Sequence, residues 1–307
     1  MFSIALNFHT ENIVFRNFLS LKQKLKKYII VLLIPFFFNC AGKNSGATKN
    51  SNNFEYLAKQ GKIFWEQRID STAMKKSEAL INQAFEKQPD NFEISVLISE
   101  MKYTRAYFYE NSLNNKKNMF YDGSEICKKA VINHPEFSKV YNLAKGDSTF
   151  RLLSALADAP KSVVPALYWW AINLAHYLNN KPVLERINQR ELMEVIMHRV
   201  LTFEPDFHFS GPYRFFGLLY TRIPGLDLSQ SKTYFNQSLS ANPEYLGNSV
   251  LMAEFYYQKA GDREQFNRIL NEVIQTDLNK YPELITYNFF FQNKARTLLE
   301  DESSLFE

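Results

Sequence analysis

Cysteine and glycine are both scarce in this chain, and their scarcity excludes two kinds of fold. The 307 residues include two cysteines, Cys40 and Cys127, and ten glycines beside 27 phenylalanines. If Cys40 carries a lipid, Cys127 has no partner and no intramolecular disulfide holds the fold; we expect Cys127 to be a small buried helix residue. Few Gly-rich turns and few Val/Thr alternations argue against a β-sandwich or barrel. Apolar residues instead recur every three or four positions, which predicts helices nearly throughout.

Motifs of catalytic chemistry are also missing. The chain contains no GxSxG, HExxH or Walker sequence. The histidines after Cys40 never lie three or four residues apart, so no helix carries a metal-binding pair. The segment from Ser229 to Lys232 fits SxxK, but we expect Ser229 or Ser231 to cap a helix instead. The sequence therefore predicts no enzyme activity, no cofactor and no metal site.

Excess positive charge is absent from the part of the chain after residue 39. Residues 1–39 contain five of the 36 basic residues and one of the 32 acidic residues, which leaves 31 of each sign behind them. Nucleic acid is therefore not an expected partner, because binding it requires a positive field.

The segment KQKLKKYIIVLLIPFFFNC, Lys22–Cys40, indicates export. Four lysines precede an eleven-residue apolar run and a cysteine follows it, which is the order of a secretory signal peptide. The run is too short to span a bilayer as a helix, which needs about 20 apolar residues. Cys40 favours a bacterial lipoprotein, although Phe37 and Asn39 depart from the usual lipobox. An ordinary signal peptide and an uncleaved anchor remain the alternatives.

This interpretation divides the chain into three parts. We expect a lipoprotein signal peptide at 1–39, a lipidated Cys40 with a flexible tether at 40–53, and a helical domain at 54–307. The protein would then lie on the periplasmic side of a bacterial cell envelope, anchored by lipid to the inner or the outer membrane.

A degenerate pattern recurs four times in the helical domain. Each copy is a helical run, then proline, then an acid and an aromatic, and each proline stops a helix. The pattern predicts an all-α fold built as a degenerate TPR-like array of helix hairpins; ordinary hairpins that share stop signals are the alternative. The four copies are ALINQAFEKQPDNF (Ala79–Phe92), ICKKAVINHPEF (Ile126–Phe137), MEVIMHRVLTFEPDF (Met193–Phe207) and TYFNQSLSANPEY (Thr233–Tyr245). A further pair turns at Gly261-Asp262, and a last helix runs from about Tyr281 to Leu299.

Two central segments depart from this pattern. After Pro165 a helix is apolar nearly all round, so it is either core or the wall of an apolar cavity. Trp169, Asn173 and His176 share one face of it. The second segment, Pro205–Gly225, surrounds an aromatic helix with Gly-Pro and Pro-Gly turns. Its two arginines, 214 and 222, are expected either to pair with an acid at a helix end or to bind a ligand carboxylate.

Three blocks of the sequence resemble a known family. They are PALYWWAINLA at 165–175, FHFSGPYRFFGLLYTRIPG at 207–225 and LMAEFYYQKAGDREQFNRILNEV at 251–273. Their order is similar to that of the T-component of tripartite ATP-independent periplasmic (TRAP) transporters. Ser210 stands where the family's middle motif begins with glycine, and the similarity spans roughly Ser77 to Leu299.

The resemblance implies a function without catalysis. Members of the family are TPR-like helical lipoproteins, linked to homotrimers in which each subunit has a hydrophobic pore. The implied partner is the solute-binding P-component of a TRAP system. The resemblance does not identify a ligand; our leading hypothesis is that an apolar organic acid passes through the pore. A general TPR-like scaffold for envelope protein assembly is the alternative. The candidate pore-lining residues are Tyr168, Trp169, Asn173, His176, Tyr213, Arg214, Phe216 and Tyr220.

Overall fold

The computed structural model describes residues 46–223, 225 and 227–306. Cys40 and the predicted signal peptide lie outside the described residues. The first helix begins at Gly46 and therefore overlaps the end of the segment predicted as a tether. Among the described residues, no helix combines the length and the apolar character needed to cross a membrane.

Helices account for nearly all of the regular structure, and no strand occurs in the described part of the chain. The predicted all-α fold is confirmed. A π-helical segment, Met252–Tyr257, connects the α-helical segments Leu246–Leu251 and Gln258–Ala260, and two 3₁₀ turns precede the helix Ile285–Glu300. In chain order the helices are α1 (Gly46–Glu66), α2 (Ser71–Lys87), α3 (Phe92–Phe108), α4 (Leu113–Asn133), α5 (Pro135–Leu143), α6 (Ser148–Ala157), α7 (Val164–Leu178), α8 (Val183–Asn188), α9 (Arg190–Phe203), α10 (Phe207–Thr221), α11 (Leu228–Ala241), α12 (Leu246–Leu251), α13 (Gln258–Ala260), α14 (Arg263–Gln275), α15 (Ile285–Glu300) and α16 (Glu302–Leu305).

The four proline patterns each coincide with a helix boundary, as the sequence predicted. They separate α2 from α3, α4 from α5, α9 from α10 and α11 from α12. Asn91 caps α3 by accepting from the backbone N–H of Ile94. The cap predicted for α11 was wrong: Asp227 accepts from the N–H of Ser229, whereas the side chain of Ser231 is buried inside the fold. Asp227 is the N-cap residue because it directly precedes the helix and its carboxylate supplies a charged acceptor.

Consecutive helices pack side by side as hairpins. The closest pairs are α1 with α2, α3 with α4 and α10 with α11, and α7 lies against α4. The turn at Gly261, with φ 70°, connects the π segment and α13 to α14, as the sequence predicted. Gly46–Glu307 contains three hydrophobic clusters of its own, which is the property of a unit that folds independently.

Helix α7 forms the centre of the largest of these clusters. Pro165 occupies its first turn, where the missing N–H leaves no backbone acceptor unpaired. Ten of its residues are buried, Trp169 and Trp170 among them. Cys127 is fully buried against the same cluster, and burial raises the pKa of its thiol to about 12. The expected structural role of Cys127 is confirmed.

The start of α10 has an unusual backbone. His208, Phe209 and Ser210 have φ values of 48°, 57° and 61°, all in the left-handed region. For residues with a side chain this conformation costs about 1–2 kcal/mol each. Regular α-helical geometry resumes at Gly211 and Pro212, so the chain enters α10 through a strained turn.

Candidate ligand cavity

An apolar cavity of about 310 Å³ opens between the end of α7, the short helix α8 and the facing helices α9 and α10. The π segment after α12 closes one side with Phe255. Most of the wall is aliphatic or aromatic. The lining residues are Ile172, Ala175, His176, Leu178, Asn179, Val183, Arg186, Ile187, Arg190, Met193, Phe215, Leu218, Leu219, Arg222, Ile223 and Phe255.

The charged residues of the cavity are all arginines. Arg186, Arg190 and Arg222 line it, and no Asp or Glu does so among the described residues. Arg190 is paired with Glu194 at 2.9 Å. The Arg222 guanidinium lies 5.1 Å from the ring centre of Phe255, and burial lowers its pKa. The wall therefore carries positive charge that the described residues do not fully neutralise.

His176 is one of the polar residues in the cavity wall. Its ring stacks on Phe120 at 4.8 Å and meets Tyr103 and Tyr107 edge-on, each at 5.3 Å. Burial lowers the pKa of His176 to about 3, and the charges of Arg222 and Lys294 act in the same direction. The imidazole is therefore neutral at physiological pH and adds no charge to the wall.

A row of rings continues from His176 into the protein. Tyr103 lies 5.4 Å from Trp169, Trp169 lies 5.0 Å from His208, and His208 lies 5.4 Å from Tyr287. Several of these rings are only half-buried although they face the interior. The row ends where the Tyr287 hydroxyl donates to Glu100 at 2.8 Å.

Arg214 stabilises the strained turn at the start of α10. Its guanidinium donates to the carbonyl oxygens of Phe209 (2.7 Å) and His208 (3.0 Å) and to the Asn248 side chain (2.6 Å). It also lies 3.3 Å from the Tyr168 hydroxyl. Arg214 is buried and makes no ion pair within the described part of the chain. Carbonyl, amide and hydroxyl oxygens therefore take the place of the carboxylate expected from the sequence.

The candidate lining residues divide into three groups in the structure. His176 lines the cavity, and Trp169 belongs to the row of rings. Tyr168 and Arg214 belong to the buried cluster at the strained turn. The rest pack between helices. Asn173 donates hydrogen bonds to Ser99 and to the Trp169 carbonyl oxygen. The ring of Phe216 stacks on Tyr220 and contacts His198 at a tilt, and Tyr213 is half-buried.

The sequence analysis missed most of the cavity wall. Arg186 and Arg190 come from a segment to which no motif pointed, and Met193 and Phe255 lay in recognised patterns but were not proposed as lining residues. The segment VLERINQR does place Arg186 and Arg190 four residues apart, close to the apolar residues Val183, Leu184 and Ile187, but this spacing alone does not indicate a cavity. Within the described residues, no cluster of His, Cys, Asp or Glu is arranged to hold a metal ion.

Comparison with known proteins gives one informative result. A search among curated proteins finds no match. The family model described as TAtT, TRAP transporter T-component, matches residues 99–306, a range that contains the cavity and the row of rings. Such components are accessory parts of a transport system and not a known enzyme family. The chain therefore belongs to the TRAP transporter T-component family.

Proposed function

We propose that this protein is a non-enzymatic periplasmic lipoprotein that binds the solute-binding P-component of a TRAP transporter. In this proposal it receives an apolar organic acid from that partner and passes it through a hydrophobic pore. The observation that carries the proposal is the apolar cavity between α7, α8, α9 and α10. A cavity of this size with few polar groups is suited to a small, mostly apolar ligand.

The row of rings supports a path beyond the cavity. His176 belongs to both the cavity wall and the row, so the two features share a boundary. The ring centres lie 5.0–5.4 Å apart at tilted or edge-on angles, so neighbouring rings touch and would form one continuous aromatic wall against which an apolar group can lie. Neutral His176 favours this role, since a charged imidazole would raise the cost of passing an apolar group.

The anchor and the assembly are part of the same proposal. Lipid on Cys40 would hold the protein at the membrane surface, where a TRAP transporter operates. The family resemblance favours a homotrimer, in which several cavities would be offered to the P-component. Association with that soluble partner should be transient, because transport requires release.

The alternative function is a general TPR-like scaffold for envelope protein assembly. A scaffold needs helix hairpins and exposed binding faces, but it has no use for an interior apolar cavity. The two hypotheses differ in what they require of the interior: only the transport hypothesis requires a ligand to enter it.

Calorimetry against the solute-binding P-component of a TRAP system from the same organism tests the proposal. Residues 46–307 are titrated with that protein, empty and ligand-loaded, and sized by light scattering. We expect measurable, reversible binding and a trimer. Leu218→Trp, which fills the cavity, should block ligand transfer and leave docking intact. A monomer without affinity for the P-component would favour the scaffold.

A further inference from the structure

We propose that Arg222 and Arg186 form an anion-binding site at the cavity, and that they select ligands with one acidic head group and an apolar body. This inference rests on the proposed function and adds to it the residues that recognise the charge. The site would take a carboxylate or sulfonate head, with the remainder of the ligand lying against Phe215, Leu218 and Met193.

The first argument is that two of the three cations of the cavity form no ion pair within the described residues. Of the three lining arginines, Arg190 is paired with Glu194. Arg222 and Arg186 make no ion pair within the described residues, and the Nε of Arg186 is buried without an acceptor. A buried donor without a partner is unfavourable, so a ligand oxygen that accepts a hydrogen bond from it is bound more tightly.

Glu254, an acid whose charge acts on Arg222, makes its direct contacts with other groups. Glu254 adjoins Phe255 on the π segment. One of its carboxylate oxygens accepts from the Tyr107 hydroxyl at 2.9 Å, and the other lies 3.0 Å from the Lys294 ammonium. The Glu254 charge acts on Arg222 from a distance, but among the described residues the two form no ion pair, so the Arg222 guanidinium keeps donors for an incoming anion. Guanidinium groups suit this role because they bind carboxylate and sulfonate oxygens in pairs.

The second argument is geometric. Arg186 comes from α8 and Arg222 from the end of α10, so the two cations approach the same cavity from different helices. The ring of Phe255 lies beside the Arg222 guanidinium and keeps that side chain against the wall. Directly behind the arginines the lining becomes apolar, which defines where the head and the body of a ligand would lie.

Two dyes with the same body test the site. 8-Anilinonaphthalene-1-sulfonate and N-phenyl-1-naphthylamine differ only in the anionic group. Residues 46–307 are titrated with each dye, and fluorescence gives the two Kd values. We expect Arg222→Met to weaken sulfonate binding by about tenfold or more, since a hydrogen-bonded charge is lost, and to change binding of the neutral dye by less than about twofold.

Matched variants complete the test. Arg296→Met removes an exposed arginine outside the cavity and should leave both affinities unchanged. Arg222→Lys should retain part of the preference for the sulfonate dye over the neutral dye. If Arg222→Met does not fold, Arg186→Met provides the same test. If the arginine substitutions in the cavity change the Kd values of both dyes equally, or change neither, the anion-binding site is overturned. The proposed function is not affected by that outcome. If Leu218→Trp leaves both dyes bound as before, the dyes do not enter the cavity, and the proposed function fails with this inference.

Discussion

The hydroxyl of Ser231 donates a hydrogen bond to the backbone carbonyl oxygen of Gly217, 2.7 Å away, where α11 packs on α10. Both residues are buried. The missing side chain of glycine allows the two helices to approach closely, and the serine hydroxyl then reaches the backbone of its neighbour. The same relationship joins two other hairpins, through Ser77 to Gly61 at 2.7 Å and Ser99 to Gly123 at 2.8 Å.

We expect Gly217→Ala to destabilise the protein. A Cβ at this position would lie 2.8 Å from the ring of Phe235, which is fully buried. Overpacking costs about 1–3 kcal/mol, and alanine returns about 1 kcal/mol through its better helix propensity. Urea unfolding should therefore show a net loss of up to about 2 kcal/mol. Ser229→Ala, on the exposed face of α11, serves as the control, and a stabilised Gly217→Ala would contradict the close approach.

Arg214→Met should destabilise the protein more strongly. The substitution leaves the carbonyl oxygens of His208 and Phe209 without their buried donor, at a turn that is already strained. We expect a loss of at least about 2 kcal/mol in the free energy of unfolding. Arg296→Met is the matched control because its guanidinium is exposed. A loss below about 0.5 kcal/mol would show that Arg214 does not hold the turn.

His176 should make stability depend on pH. Its pKa is about 3 in the folded protein and about 6.5 when unfolded, so between these values the unfolded chain binds the extra proton. The free energy of unfolding contributed by this residue is therefore complete above pH 6.5 and decreases as the pH falls toward 3.

Comparison with the variant His176→Phe separates the pH dependence caused by His176 from the pH dependence caused by carboxyl groups, which both proteins share. The Phe ring retains the stacking on Phe120 and does not titrate. When the pH falls from 7.5 to 5, the free energy of unfolding of the variant should rise by about 2 kcal/mol relative to that of the original protein, as measured by urea unfolding. A difference that does not vary with pH would mean that water reaches the imidazole.

Cys40→Ser tests the predicted anchor. If Cys40 is the lipidated first residue, the substitution should release soluble protein or leave an unprocessed precursor. Detergent phase partitioning and the mass of the mature N-terminus measure both outcomes. Cleavage elsewhere, or an unmodified Cys40 in the original protein, would contradict the lipoprotein interpretation.

The helix boundaries and the family could be read from local sequence. Proline, Asn91 and Gly261 act within a few residues of themselves, so their effects do not depend on the distant fold. The cap of α11 was the exception. Ser231 has the right residue type for a cap, but the fold buries it against Gly217 and leaves the capping position to Asp227.

The site was less predictable because its residues converge from separate helices. His176 was identified from its position on the central apolar helix, whereas nothing in the local sequence marked Arg186 or Phe255 as lining a cavity. The sequence by itself determined that the chain is helical, where most helices stop, and to which family it belongs. Only the tertiary structure decided which arginines meet at the cavity and which one, Arg214, is used to hold a turn. The reason is that capping and periodicity act over a few residues, whereas a cavity depends on how helices distant in sequence pack together.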